Sequence, residues 1–200
     1  MSCDPLPGRG VPRITTARLV LDLPTPQRAA SVAAYYDRNR AHLQPWDPVR
    51  PVGFYREDYW QDRLLAHRLE GSAGQHYRWW LSPPGRPDEI IGAIGLSNVV
   101  HGVFCAAHLG YSIDEGWQGR GLMGEAVEAV CQHAFHRLHL HRVMANYMPR
   151  NVRSGRLLRR LGFQVEGYAR DYLRIAGRWE DHILTARLSP RAAPATPLVG

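Results

Sequence analysis

The stretch Trp117–Glu125 constrains this chain more than any other. It reads Trp-Gln-Gly-Arg-Gly-Leu-Met-Gly-Glu and separates a predicted strand, residues 106–113, from a predicted helix whose apolar residues recur at helical spacing. Glycines in a turn that opens a helix let the backbone approach a ligand closely, and the first helical N–H groups point outward unpaired. The helix dipole and Arg120 add positive charge at the same end. The stretch therefore predicts a site for an anion such as a pyrophosphate.

The composition predicts one soluble domain. The 200 residues are 44% hydrophobic, which is enough for a single packed core. No apolar run approaches the roughly 18 residues that cross a bilayer, and the Pro- and Gly-rich start lacks the apolar segment of a signal peptide. We therefore expect a cytoplasmic protein without a membrane partner.

The formal net charge of +7 comes from arginine alone, because all 25 basic residues are arginine. This charge favours anionic ligands and would suit work near ribosomal RNA, but it does not require direct recognition of nucleic acid. The absence of lysine excludes enzymes whose lysine nucleophile forms a Schiff base.

Neither the cysteines nor the histidines follow the spacing of a metal site, so no metal is expected. Cys3, Cys105 and Cys131 are too few and too scattered for a disulfide framework or a zinc site, and their odd number favours free thiols. Four histidines near the end of the predicted helix lack regularly placed carboxylate or cysteine partners, and a solvated surface is the expected setting. They are His133, His136, His139 and His141.

Both ends of the chain are rich in Pro, Gly and Ala, which predicts flexible tails over residues 1–13 and 189–200. Residues 14–188 are predicted to form one α/β domain with a mixed, mostly antiparallel sheet flanked by helices. The predicted strands are residues 18–22, 77–81, 89–96, 106–113, 142–147, 165–175 and 179–188. The predicted helices are residues 25–40, 55–69, about 123–138, and 151–161 with Gly162 after its end.

The spacing Gln118-x-x-Gly121 ahead of a helix resembles the acyl-CoA-binding signature of the GNAT superfamily of N-acetyltransferases, with Met123 where that signature has Gly or Ala. The order of the predicted elements is also that of the GNAT fold. Further motifs resemble the RimJ/RimL branch, and the RimJ-type ribosomal-protein-alanine N-acetyltransferases above all. These motifs are Thr16-Ala-Arg-Leu19, His42-Leu-Gln-Pro-Trp46, Leu109-Gly-Tyr-Ser-Ile113, Leu140-His-Arg-Val143, Asn151-Val-Arg-Ser154, Leu161-Gly-Phe163 and Gly177-Arg-Trp-Glu-Asp-His182.

The resemblance implies that acetyl-CoA is the co-substrate. In this family the signature loop holds the pyrophosphate through backbone N–H groups, and the pantetheine lies along the fourth strand, whose N–H groups can form an oxyanion hole. The cofactor-binding residues implied in this chain are Tyr111, Ser112, Ile113, Gln118, Gly119, Arg120, Gly121, Leu122, Met123, Gly124, Asn151 and Ser154.

The resemblance also implies two catalytic residues, Ser154 and Asp171. In relatives of the RimL type the matching serine is proposed to donate a proton or a hydrogen bond to the departing sulfur; plain helix-start polarity is the alternative. Asp171 lines up with an acidic residue assigned as base in that branch, and acidic residues are depleted in strands. A solvent-facing edge residue is the alternative for Asp171, with His182 or a water chain as other ways to move the proton.

The resemblance also implies that the acceptor pocket is built from the segment after the first helix together with the terminal hairpin. Trp46, with Pro45 and Pro48 on either side, is therefore expected to line a narrow slot for a small N-terminal residue. Asp181 and His182 are expected to organise the hairpin and to contribute to substrate binding.

Together these features predict transfer of acetyl from acetyl-CoA to the N-terminal α-amine of a protein, most plausibly a ribosomal protein, by direct attack in a ternary complex. The first alternative is a GNAT enzyme for a small-molecule amine such as an aminoglycoside or a polyamine. Few carboxylates lie among the arginines of residues 42–69, which disfavours a polycation. The second alternative is a non-catalytic acyl-CoA sensor or a ribosome-associated binding module. Relatives occur as monomers and dimers, and both states stay open.

Overall fold

The structure, a computed structural model, describes residues 11–190. Its central element is an eight-stranded sheet. Its strands are β1 (Ile14–Thr15), β2 (Val20–Asp22), β3 (Tyr77–Ser82), β4 (Gly92–Val100), β5 (Ala106–Ile113), β6 (Arg142–Met144), β7 (Gln164–Ile175) and β8 (Arg178–Leu188). They lie in the order β1-β2-β3-β4-β5-β6-β8-β7. The predicted strands are present with shifted ends, and β1 was not predicted, because two residues give no readable alternation.

The helices are α1 (Ala29–Arg38), α2 (Arg40–Leu43), α3 (Glu57–Ser72), α4 (Leu122–His136) and α5 (Val152–Arg160). The continuous helix predicted over residues 25–40 is interrupted at Asn39. The Asn39 side-chain amide donates to the carbonyl of Tyr35 at 2.9 Å, and this local bond competes with regular helix geometry. The segment ahead of α1 is a short 3₁₀ turn, Pro26–Arg28, and a second one, Gln44–Trp46, follows α2.

One pair of neighbouring strands opens a gap in the sheet. All pairs are antiparallel except β5 and β6, which are parallel because α4 carries the chain back between them. This pair extends only from Ala106 to His108 on β5, opposite Arg142 to Met144 on β6. Beyond His108 the β5 edge that faces β6 has no ladder partner in residues 11–190. The predicted mixed, mostly antiparallel sheet with flanking helices is confirmed.

The core lies on both faces of the sheet, as the alternation of β3 shows. Trp79 packs in a cluster with α4, and the next residue, Trp80, packs in a cluster with α1 and α3 on the opposite face. Both indoles are fully buried. The apolar residues of α4 that were predicted to face a core, such as Val127 and Val130, are buried against this sheet.

The turns that the sequence predicted at two glycines are confirmed. Gly162 follows α5 with a φ of 81°, and the N–H of Phe163 donates to the carbonyl of Leu158 at 3.1 Å, which closes the helix end. Ala176 and Gly177 join β7 to β8 with φ of 47° and 83°. Two successive positive φ values suit the twist of a two-residue hairpin.

The predicted tails lie mainly outside the described residues, since residues 1–10 and 191–200 are not described. Their inner ends contact the domain. The carbonyl of Pro12 accepts a hydrogen bond from the Trp79 indole at 2.7 Å, and the N–H of buried Ser189 donates to the carbonyl of His141 at 2.8 Å. The boundaries predicted at residues 14 and 188 stay a prediction.

Two further expectations concern the thiols and the membrane. Cys131 is a buried free thiol, as expected, whereas Cys105 is disulfide-bonded, so the expectation of free thiols is wrong for Cys105. Within residues 11–190, every helix is too short or too polar to cross a membrane.

Candidate active site

The loop before α4 presents a row of unpaired backbone donors. Gly119 and Gly121 have φ of 75° and 76°, a left-handed conformation that a β-carbon would strain. The first bond of the helix runs from the N–H of Glu125 to the carbonyl of Gly121. Within residues 11–190, none of the six N–H groups from Gly119 to Gly124 has an acceptor. Together with the dipole of α4 they form a cradle for an anion.

Arg18 fixes this cradle from the β2 side. Its backbone N–H and its Nε donate to the carboxylate of Glu125 at 2.9 and 2.7 Å, and its Nη1 donates to the carbonyl of Arg120 at 2.9 Å. Burial raises the pKa of Glu125, but bonds from Thr16 and Arg18 outweigh burial and hold that pKa below its usual value. Glu125 therefore stays ionised in the first turn of α4, where a carboxylate is stabilised by the helix dipole.

Arg120 is folded back onto its own loop. Its guanidinium lies 4.8 Å from the centre of the Trp117 ring and donates to the carbonyl of Gly116 at 3.0 Å. The positive charge predicted for this end of the helix is present, but these contacts restrain it beside the cradle.

Asp114, which the sequence analysis missed, ties the end of β5 to α1. Its carboxylate accepts from Arg38 Nε at 2.7 Å, from Asn39 Nδ2 at 2.8 Å and from the N–H of Gly116 at 2.9 Å. Burial raises the pKa of Asp114, yet the bonds from Asn39 and Arg38 hold it below its usual value. An acid directly after a strand and two residues before a glycine is typical of a turn cap, and this was the available signal.

The β5 residues beside the gap meet the start of α5. The hydroxyls of Tyr111 and Ser154 are 2.7 Å apart, and the Asn151 side chain accepts from the N–H of Ser154 at 3.1 Å. The prediction that Asn151 caps α5 is confirmed. Burial raises the pKa of Tyr111 to about 12. The structure therefore brings three predicted residues of two segments, Tyr111 on β5 and Asn151 and Ser154 at the start of α5, to one end of the gap; their roles stay predictions.

Gln118 connects the cradle to both neighbouring segments. Its Nε2 lies 2.8 Å from His42 Nε2 on α2, and its Oε1 accepts from Arg153 on α5. The side chain predicted to bind the cofactor is therefore engaged within the protein. Among the remaining predicted cofactor residues, Ser112 uses its hydroxyl to pair with Tyr35 at 2.9 Å, while Leu122 and Met123 are buried in the core.

The acceptor region predicted around Trp46 contacts the hairpin through Arg150. The Arg150 guanidinium lies 5.1 Å from the centre of the Trp46 ring and donates to Glu180 Oε1 at 3.0 Å and to the carbonyl of Pro45 at 3.2 Å. A cavity of about 350 Å³ lies between the loop that follows Trp46 and the β7–β8 hairpin, lined by Pro48, Val49, Arg174 and Gly177. Glu180 lies in the motif of residues 177–182 and Arg150 lies in none, and only the fold brings the two together beside Trp46.

Asp171 lies on an irregularity of β7 rather than in a regular strand. Its φ is 48°, the register with β8 shifts between Ala169 and Leu173, and its N–H donates to Asp181 Oδ1 at 2.9 Å. Asp181 also accepts from the Tyr168 hydroxyl. In residues 11–190 the Asp171 carboxylate has no hydrogen-bond or ion-pair partner, and no contact joins it to Ser154. Its role as base stays a prediction.

His182 is buried and organises the hairpin. Its Nδ1 lies 2.9 Å from the carbonyl of Glu180, and its ring packs at 5.5 Å from that of Tyr172. The Tyr172 hydroxyl in turn accepts from Asn146 Nδ2 at 3.2 Å. These contacts support the predicted organising role of His182, while a contact with substrate stays a prediction.

One group of residues with metal-ligating atoms lies away from this site. Glu70 Oε2 is 3.1 Å from Nδ1 of both His67 and His76, and Arg63 donates to the other carboxylate oxygen at 3.0 Å. Burial, together with Arg63 and Arg78, lowers the pKa of His67 to about 3. The same arginines would repel a cation, so we interpret the group as a hydrogen-bonded link between α3 and β3. The expected absence of a metal stays a prediction.

Comparisons with known proteins agree with this arrangement. The profile of the family described as acetyltransferase (GNAT) domain matches residues 18–164. The chain is 48% identical over 182 residues to ribosomal protein uS5-alanine N-acetyltransferase of Escherichia coli (strain K12), covering 91% of this chain and 93% of the relative.

Two solved structures share the fold over most of the chain. Ribosomal-protein-S5-alanine acetyltransferase from Vibrio fischeri has a TM-score of 0.85 and 36% identity, covering 92% of this chain and 100% of that one. Mycobacterium smegmatis RimJ in complex with CoA-disulfide has a TM-score of 0.81 and 26% identity, covering 88% of this chain and 84% of that one.

Proposed function

We propose that this chain, which belongs to the GNAT family of acetyltransferases, transfers the acetyl group of acetyl-CoA to the N-terminal α-amine of a ribosomal protein. The family predicted from the motifs is confirmed, and the chain is an N-acetyltransferase. The observation that carries the proposal is the row of N–H groups from Gly119 to Gly124, which have no acceptor within residues 11–190 and stand at the start of the helix that joins β5 to β6. The name of the E. coli relative supports alanine as the acceptor N-terminus.

The cradle fits acetyl-CoA by the chemistry of its donors. A pyrophosphate needs several convergent N–H groups and positive charge, and the start of α4 offers both. The free edge of β5, from Tyr111 to Ile113, would hold the pantetheine arm, with Asn151 beside it. Gln118 and Arg120 would support the loop, since their side chains are engaged with neighbouring residues.

The reaction that this site supports is direct attack in a ternary complex. The amine nitrogen bonds to the acetyl carbon, the bond from that carbon to sulfur breaks, and the electron pair goes to sulfur. A free thiol has a pKa of about 8.5, so a hydrogen bond from Ser154 to the departing sulfur is sufficient help. Holding both reactants in one geometry supplies much of the remaining rate.

Asp171 is the proposed base. A protein α-amine has a pKa of about 8, so a carboxylate can take its proton directly or through water. The Asp171 carboxylate is exposed and unpartnered within residues 11–190, while its backbone is held by Asp181. His182 is the weaker candidate, because it is buried and its Nδ1 lies against a backbone carbonyl.

The acceptor would enter beside Trp46 and the β7–β8 hairpin. Arg150 lies over the Trp46 ring and reaches Glu180, and these contacts would limit the space beside Trp46 to a small N-terminal residue. Asp181 and His182 would hold the hairpin in place. A ribosomal protein as acceptor supports a cytoplasmic setting. Direct recognition of nucleic acid is not needed for this chemistry, and a monomer or a homodimer could perform it.

The test measures free thiol release from acetyl-CoA with short peptides that begin with Ala, Ser, Thr or Met, with spermidine and with an aminoglycoside. A peptide whose α-amine is already acetylated is the matched control, and intact mass locates the added acetyl group. We expect turnover on the Ala peptide and none on the blocked one.

Other outcomes would replace the proposal. Turnover on a small amine alone would keep the fold and change the substrate. Tight CoA binding without thiol release on any amine, including a folded ribosomal protein with an Ala N-terminus, would indicate a binding module.

A further inference from the structure

Ser154 is held by two independent contacts at the open end of the gap. The Asn151 side chain accepts from its backbone N–H at 3.1 Å, and the Tyr111 hydroxyl lies 2.7 Å from its Oγ. The first contact fixes the backbone of Ser154. The second restrains its hydroxyl, a group that otherwise rotates to suit any neighbour.

We infer that Tyr111 is a positioning residue for acetyl transfer: its hydroxyl donates to Ser154 Oγ and thereby directs the serine proton toward the departing sulfur. The inference rests on the proposed function of Ser154. A serine hydroxyl has one proton and two lone pairs, so a donor on one lone pair leaves the proton free for another acceptor.

The chemistry of the two hydroxyls favours this direction of donation. A phenol hydroxyl is a stronger donor and a weaker acceptor than an aliphatic hydroxyl, and Tyr111 keeps its proton at neutral pH because burial raises its pKa to about 12. Because hydrogen bonds in a chain polarise one another, a bond from Tyr111 also strengthens the bond that Ser154 donates.

The start of α5 has little room to move away from Tyr111. A β-carbon at Gly155, the next residue after Ser154, would lie 2.7 Å from the ring of Tyr147. Tyr147 is itself fixed to β8, since its N–H and carbonyl bond to the carbonyl and N–H of Ile183 at 3.1 and 2.8 Å. Close packing on one side and Tyr111 on the other therefore set the position of Ser154.

The step balances without a change of protonation at Tyr111. The carbon–nitrogen bond forms, the carbon–sulfur bond breaks, and the electron pair stays on sulfur as a thiolate that accepts a hydrogen bond from Ser154. The amine proton goes to the base. Tyr111 keeps its own proton throughout.

A second tyrosine–serine pair on β5 supplies the matched control. Tyr35 on α1 and Ser112 on β5 have hydroxyls 2.9 Å apart, and Tyr35 is fully buried. Tyr35→Phe removes the same kind of hydroxyl bond one residue along the strand without touching Ser154.

The experiment compares Tyr111→Phe, Ser154→Ala, the double variant and Tyr35→Phe with wild type, using the best amine acceptor. Single-turnover rates are measured with acetyl-CoA and with its selenoester analogue, whose selenolate leaves without help from a hydrogen bond. Thermal unfolding and acetyl-CoA affinity of each variant are measured in parallel.

We expect Tyr111→Phe to slow thioester transfer roughly three- to tenfold, the range of one net hydrogen bond. Selenoester transfer should keep its wild-type rate, and the double variant should be no slower than Ser154→Ala. Tyr35→Phe should leave the ratio of selenoester to thioester rates unchanged.

Three results would overturn the inference about Tyr111 without contradicting the proposed function, which wild-type turnover would still support. The first is an unchanged thioester rate in Tyr111→Phe. The second is an equal loss of rate in Tyr111→Phe with the thioester and with the selenoester. The third is a double variant whose loss of rate is the product of the two single losses. Absence of wild-type turnover with every acceptor would overturn the proposed function and this inference with it.

Discussion

The cofactor side of the candidate site, residues 109–124 and 151–155, differs from the acceptor side, residues 46–53 and 168–182, in the groups that face a ligand. The cofactor side offers backbone N–H groups at left-handed glycines, supported by the buried Asp114 and the half-buried Glu125. The acceptor side offers side chains, among them Trp46 and Asp171, whose carboxylate has no partner within residues 11–190. It contains a register shift in β7 and two non-glycine residues with positive φ, Asp171 and Ala176.

This difference predicts which substitutions should affect cofactor binding and which should affect acceptor binding. Backbone donors do not depend on the side chain of their own residue, so cofactor binding should tolerate side-chain truncation and respond to changes in glycine packing. The acceptor side should respond to single side-chain truncations. The same fold can therefore keep its cofactor-binding site while its acceptor-binding site changes, because specificity depends on the residues of a site and not on the fold itself.

The largest effect should come from the acceptor side, at Asp171. Asp171→Asn keeps the size of the side chain and tolerates the φ of 48° at this position, while it removes the base. We expect kcat to fall about 100-fold or more, since general bases contribute roughly 10²–10⁴-fold. Acetyl-CoA affinity, measured by calorimetry, should not change. A wild-type kcat in this variant would move the base to His182 or to water.

The next effect should come from close packing on the cofactor side, at Gly155. The β-carbon of Gly155→Ala would lie 2.7–2.9 Å from two ring carbons and the hydroxyl oxygen of Tyr147, so the ring or the helix must shift. Overpacking of this kind costs roughly 1–3 kcal/mol of unfolding free energy, measurable by urea denaturation. Gly167→Ala is the control, because its β-carbon meets only Leu184 Cδ1 at 3.9 Å. Equal stability of the two variants would contradict the packing argument.

A smaller effect is expected at Trp46, where the acceptor should bind. Trp46→Ala should raise KM for the peptide about tenfold, because the loss of one large apolar contact costs about 1.5 kcal/mol. KM for acetyl-CoA should stay unchanged. Trp179→Ala is the control, since this indole is 62% exposed on the β7–β8 hairpin of the same acceptor side and its loss should alter neither constant by much. A rise in KM for acetyl-CoA in Trp46→Ala would place Trp46 on the cofactor side.

The same difference explains how much could be predicted from the sequence. The order of elements and the loop before α4 were predictable, because glycine spacing, helix periodicity and a cap such as Asn151 are local signals. The contacts of Arg150 with Trp46 and of Tyr111 with Ser154 were not predictable. They join residues far apart in the chain, and neither member of each pair has a local pattern that marks the other.

On the acceptor side, the structure also differs from the sequence prediction at Asp171, the proposed base. Asp171 was predicted as an acid within a strand, and the structure places it at a register shift with a positive φ. A shift of this kind depends on pairing with β8, because Asp181 holds the N–H of Asp171. Pairing between strands is not visible in the sequence of one strand.

The smallest effect should be at Arg120, and it tests the backbone argument directly. Arg120→Ala should weaken acetyl-CoA binding less than about fivefold, because a charge near a helix terminus contributes roughly 0.3–1 kcal/mol. The guanidinium is already engaged by the carbonyl of Gly116 and the Trp117 ring, whereas the N–H donors remain after truncation. Arg137→Ala at the other end of α4 is the control for loss of overall charge. A loss near 100-fold, steeply dependent on salt, would mean that a side chain rather than the backbone holds the anion, and the contrast between the two sides would fail.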